Sequence, residues 1–137
     1  MASHAVARVQ EIPPGGRKLV EVAGRSIAVF NLGGEFFALL NRCPHQGGPL
    51  CAGVQFSALT SSVPGEYVHS RAGELIRCPW HGWEFDIRTG RSWFDPGGTR
   101  VRSYPVAVRS GEELTAETYP VSVRDDYVVV ELGPVTR

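Results

Sequence analysis

Two short motifs in this chain each pair a thiol with an imidazole: Cys43-Pro-His45 and Cys78-Pro-Trp-His81. Thiolate and imidazole are metal ligands. Two of each can hold one zinc ion, or an iron–sulfur cluster with cysteines on one iron and histidines on the other. Structural zinc sites place four ligands on one ion and typically begin with two cysteines a few residues apart. A single residue between Cys43 and His45 is tight for two corners of one tetrahedron. It is natural if the two side chains go to different irons joined by bridging sulfides. The proline after each cysteine, and Gly47-Gly48-Pro49 after the first motif, make stiff loops that let backbone amides approach sulfur.

The flanking residues extend both motifs into Cys43-Pro-His-Gln-Gly-Gly-Pro-Leu50 and Cys78-Pro-Trp-His-Gly-Trp-Glu-Phe-Asp86. In full, the two stretches resemble the Rieske ferredoxin family, and the likeness runs from about Val6 to Leu132. The resemblance implies one [2Fe–2S] cluster ligated by Cys43, His45, Cys78 and His81, and it displaces zinc as the reading. It also implies a β-sandwich with a small cluster-binding subdomain, built from loops at about 43–51 and 78–86. A third, proline-containing loop closes over the cluster in relatives, and Phe94-Asp-Pro-Gly-Gly98 fits that place by its order along the chain. Gln46, Gly47, Trp80, Trp83, Phe85 and Pro96 are then the residues expected around the cluster.

Two ferric ions, two sulfides and two thiolates sum to zero charge when both imidazoles are neutral. One-electron reduction leaves the site at −1, and family likeness puts that electron on the histidine-ligated iron. Neutral ligands there raise the potential to roughly −150 to +300 mV, against about −400 mV for four-cysteine ferredoxins of plant type. Relatives bind His45 and His81 through Nδ1 and turn Nε2 outward, which makes that edge the expected electron exit. High-potential relatives carry an extra cysteine in each motif, at the positions of Gly48 and Trp80, and join them in a disulfide. They also set hydroxyls against the cluster sulfurs at the positions of Trp83 and Phe85. Neither device is possible here, and fewer hydrogen bonds stabilise the added electron less. A low-potential protein of the ferredoxin kind is expected.

Length, charge and cysteine count limit the rest. The chain has 137 residues, enough for a single domain, expected over 6–132, and a modest core. Lysine plus arginine equals aspartate plus glutamate, at 14 each. That balance argues against nucleic acid, which needs a basic face to neutralise phosphates. No apolar run is long enough for a membrane span, and the first eight residues lack the hydrophobic stretch of a signal peptide. A cytoplasmic location is expected. Three cysteines, two of them claimed by the motifs, suit a reducing compartment.

The elements that must position the motifs read as strands. Lys18–Val22 and Ser26–Phe30 flank Ala23-Gly24 as a hairpin, and Glu35–Leu40 delivers the chain to Cys43. After the second motif, Trp83–Ile87 is strand-like, Arg88-Thr-Gly90 is a turn, and Asp125-Asp126 turns into Tyr127–Leu132. Tyr104-Pro-Val-Ala-Val108 and Tyr119-Pro-Val-Ser-Val123 look alike, but two short segments do not make a repeat architecture. No convincing amphipathic helix is present. The expected fold is all-β, a small sandwich or partly open barrel.

Several residues with reactive side chains have plainer roles. Cys51 is expected to pack as a small hydrophobe beside the first loop. His4 and His69 read as solvated, and Trp93 as core. Arg42 and Arg77, which precede the two ligand cysteines, read either as solvated surface arginines or as cations that steer an acidic partner or offset the reduced cluster's charge. The stretch from His45 to Cys78 is about twice as long as in compact relatives. The excess, at about 54–70, is rich in serine and small residues and reads as a long loop available to a partner.

By resemblance, the chain is a one-electron carrier that takes electrons from a flavin-dependent reductase and passes them to a terminal oxygenase, and is not catalytic alone. Two other readings stand beside it: a cluster-bearing small subunit fixed within a larger oxidoreductase complex, and a redox sensor.

Overall fold

The computed structural model describes residues 2–44, 48–63, 66–80, 82–92, 98–111 and 125–132; within 57–63 and 66–72 only the backbone path is described. Among the described residues, ten strands form three antiparallel sheets. The central sheet runs β2 (Arg17–Val22), β3 (Arg25–Leu32), β4 (Glu35–Leu40) and β8 (Ser103–Tyr104). A second sheet orders β1 (Ala2–Arg8), β10 (Asp126–Leu132) and β9 (Val106–Ser110). The third orders β5 (Val54–Val63), β6 (Glu66–Arg77) and β7 (Glu84–Asp86).

The central sheet is covered on both faces, and β3 shows why its sequence is apolar almost throughout. Successive side chains of a strand point to opposite faces. Ile27 and Val29 therefore join one buried cluster with Val128, Val130 and Leu132 of β10. Ala28, Phe30 and Leu32 join another with Leu50, Ile76, Phe85 and Ile87, on the side of the two motifs. β4 repeats the alternation, with Ala38 in the first cluster and Leu39 in the second. A strand buried on both faces has no polar side to display. No helix of the described residues is long and apolar enough to cross a membrane.

The hairpin at Ala23-Gly24 forms as expected, with φ of +50° and +79° at the two turn residues. Both values are positive, which matches the tight two-residue turns that follow strand twist. Buried Asn31 ties the end of β3 to the preceding loop. Its amide donates to the Ile12 carbonyl (2.8 Å), and its side-chain oxygen accepts from the Gly34 backbone (2.7 Å).

One expectation is corrected. The segment at about 54–70 is not a loop but most of a long hairpin, β5 with β6. Val54, Gln55 and Phe56 pair with Arg77, Ile76 and Leu75, and pairing resumes beyond a bulge from Ala58 with Ser70 to Val63 with Glu66. Val54, Phe56, Thr60 and Val63 on one arm and Tyr67, Val68 and Ile76 on the other favour extended backbone, whereas the serines between them disguise the pattern. β7 pairs with β6 over Leu75–Arg77, at the base of the hairpin. The base of the hairpin is thus part of a three-stranded sheet, and its outer part is a two-stranded arm. Of the two similar segments, Tyr104–Val108 lies on β8 and β9, while Tyr119–Val123 lies outside the described residues.

Candidate metal centre

The two motifs follow directly on strand ends. β4 leads through Asn41 and Arg42 into Cys43, and β6 ends at Arg77, immediately before Cys78. Both cysteines are 2% exposed and belong to the same buried cluster, with Leu50, Ile76 and Phe85. Backbone hydrogen bonds close each loop on itself. The Cys43 amide donates to the Gly48 carbonyl (2.9 Å), the Cys78 amide to the Trp83 carbonyl (2.7 Å), and the Gly82 amide to the Cys78 carbonyl (3.0 Å). A short 3-10 turn, Leu50–Ala52, carries the first loop back to β5.

Two glycines let the loops approach each other. A methyl group on Gly53 would collide with the carbonyl oxygen of Arg77, so the base of the first loop crosses directly over the residue before Cys78. A methyl on Gly48 would stand 2.9 Å from the Cys78 sulfur and 3.0 Å from two indole carbons of Trp80. The space beside that sulfur is therefore kept open by the absence of a side chain. The three cysteines, all among the described residues, form no disulfide. Two buried soft donors from neighbouring loops, with room left beside one of them, fit a cluster that takes two cysteine ligands. Such a cluster, when bound, supplies one-electron redox chemistry. What the chain adds is burial of the sulfurs and stiff attachment of each to a strand.

Of the residues expected around the centre, Trp80 lies against Gly48 and is 56% exposed. Trp83 is half-buried against the cluster of core residues, and Phe85 is fully buried within it. His45, Gln46, Gly47, His81, Pro96 and Trp93 lie outside the described residues. Cys51 is half-buried and packs on the same core, and burial pushes its thiol pKa up, against a smaller pull down from Arg17. That matches a small hydrophobe rather than a reactive thiolate. Arg42 is exposed. Arg77 is held more firmly than a free surface arginine: its guanidinium donates to Glu84 (2.7 and 3.0 Å) and lies 4.9 Å from the Phe56 ring centre.

Asn41 has a role that the motifs do not announce. Its side-chain oxygen accepts from the Cys51 amide (2.6 Å), and its side-chain nitrogen donates to the Ser26 hydroxyl (3.2 Å). It ties both ends of the first loop to β3. A polar residue two positions before Cys43 is the only signal it leaves in sequence.

The chain is similar to known proteins over most of its length. A family model described as the Rieske [2Fe-2S] domain matches residues 2–105. The 3-phenylpropionate/cinnamic acid dioxygenase ferredoxin subunit of Photorhabdus laumondii is 32% identical over 111 residues, 81% of this chain and 90% of that protein. Apoptosis-inducing factor 3 of Homo sapiens is 33% identical over 104 residues, 76% of this chain but 14% of that protein. Among solved structures, the ferredoxin of carbazole 1,9a-dioxygenase from Nocardioides aromaticivorans IC177 superposes with a TM-score of 0.62 at 25% identity, covering 93% of this chain and 97% of that one. Paired cysteine loops on a three-sheet scaffold, matched over most of its length by such relatives, place this chain in the Rieske [2Fe–2S] domain family.

Proposed function

We propose that this chain is a one-electron carrier serving an aromatic-ring dioxygenase. It would accept electrons from a flavin-dependent reductase and deliver them to a terminal oxygenase, with residues 6–132 acting as one unit in the cytoplasm. Cys43 and Cys78 hold one iron of the cluster, and His45 and His81 hold the other. The observation that carries this reading is the pair of cysteines, each 2% exposed, on two loops pressed together through Gly48 and Gly53. The likeness to a dioxygenase ferredoxin subunit over 90% of that subunit's length supports the carrier role. Three cysteines outside any disulfide support the location.

The test is reconstitution. The loaded protein, reduced by a flavin reductase, should be reoxidised within seconds by a terminal oxygenase supplied with oxygen and an aromatic acid, and slowly without the oxygenase. Equal reoxidation with and without the oxygenase would remove the carrier role. A second reading, a module working inside a larger protein or complex, draws on apoptosis-inducing factor 3, only 14% of which this chain spans. Isolation from its native host in a stoichiometric complex that survives gel filtration would favour it.

A further inference from the structure

Trp80 is the one aromatic side chain left mostly in solvent among the described residues, yet it sits two positions after a buried ligand cysteine. A ring of this size in water is unfavourable unless part of it is covered. Its indole Cγ and Cδ2 lie against Gly48 of the other loop, where even a methyl group would stand 3.0 Å from them. Gly48 is buried, and its φ is outside the left-handed region, so glycine is there for room and not for backbone conformation.

The loops are joined at two heights. At the base, Gly53 crosses the Arg77 carbonyl; at the tip, Gly48 meets Trp80 and the Cys78 sulfur. The loop-closing bonds Cys43–Gly48 and Cys78–Trp83 each run within one loop. They fix the shape of a loop but not its distance from the other, and no disulfide does so.

We propose that Trp80 is a positioning residue whose indole latches the first ligand loop to the second across Gly48, holding the ligands of both loops at the separation the cluster needs. Trp80 acts through Gly48 and touches no reacting atom in this role. The inference rests on the assignment of the four ligands above.

The experiment uses the loaded full chain with Trp80→Ala, Trp80→Phe and Gly48→Ala. The readouts are the rate of iron loss to a chelator, the visible circular dichroism of the cluster, and the thermal midpoint of the metal-free protein. Trp80→Ala should speed iron loss at least tenfold and alter the cluster spectrum. The metal-free midpoint should move by no more than about 2 °C, because the ring is mostly outside the core. Trp80→Phe should restore the rate to within about threefold of the parent, since a smaller ring still covers Gly48. Gly48→Ala should also speed iron loss, and less so when combined with Trp80→Ala, because removing the indole relieves one of its two clashes.

Iron loss and spectrum unchanged in Trp80→Ala would overturn the latch. So would a thermal midpoint that falls in step with iron loss, which would make the ring ordinary core packing. An unsubstituted chain that holds no iron–sulfur cluster would instead overturn the ligand assignment itself.

Discussion

The backbone amide of Cys51 donates a 2.6 Å hydrogen bond to the side-chain oxygen of Asn41, spanning the first ligand loop from end to end. Because the Asn41 amide nitrogen also reaches Ser26 of β3, one side chain fixes both the loop's width and its seat on the central sheet. Asn41→Ala leaves the Cys51 amide without its acceptor in a partly buried place, at a cost of about 1–3 kcal/mol. Urea unfolding of the metal-free protein should show that loss, and the loaded protein should release iron faster. A change below about 0.5 kcal/mol would show that water replaces the asparagine without penalty.

The midpoint potential should lie near the lower end of the Rieske range of roughly −150 to +300 mV. Trp83 packs against the buried core beside Cys78, Phe85 lies within it, and neither carries a hydroxyl; a hydroxyl donated to a cluster sulfur would favour the reduced form. Phe85→Tyr should raise the potential by roughly 20–60 mV, the equivalent of one net hydrogen bond. Protein-film voltammetry checks both values. A parent potential near the top of the range would mean that other donors reach the sulfurs.

The outer arm of the β5–β6 hairpin should be dispensable for the cluster. Replacing residues 57–72 by Asn-Gly keeps the pairing of Val54–Phe56 with Leu75–Arg77, and with it the seat of Cys78. Iron content and spectrum should match the parent, while electron transfer to the native partner should fall. Loss of iron would make the arm part of the scaffold; unimpaired transfer would remove it from recognition.

That arm marks the boundary of what the sequence discloses. The ligand motifs are legible because each is local, a thiol and an imidazole within four residues. The Ala23-Gly24 hairpin and the strand at Glu35–Leu40 are legible for the same reason, since turn chemistry and alternation act over a few residues. The hairpin is obscured because its serines dilute the alternation, and its pairing is fixed only by the partner arm. Asn41, Gly48 and Gly53 are silent for a different reason. Their roles depend on what lies across the loop or on the neighbouring loop, from ten residues away for Asn41 and Cys51 to 32 for Gly48 and Trp80.

Acid should weaken the fold through Glu11 in a defined window. The Arg8 backbone amide and, next, the Lys18 ammonium hold its carboxyl at about 2 instead of 4.5. A carboxyl lowered by folding stabilises the native state fully above its unfolded pKa, and this contribution is lost as pH falls from about 4.5 to about 2. Its side chain is one-third exposed, so the contribution stays below about 1 kcal/mol. Glu11→Gln should therefore be less stable than the parent at pH 6 and equal to it near pH 2. A difference that persists unchanged at low pH would show that charge is not its source.

Metal analysis of the purified protein, joined to electron paramagnetic resonance of its reduced form, tests the central claim most directly. Two irons and two acid-labile sulfides per chain are expected, in a reddish-brown protein. The reduced form should give a signal whose average g-value lies below that of the free electron, lost on His45→Cys and on Cys78→Ser. A colourless protein that holds a single zinc ion through the same residues would contradict the account.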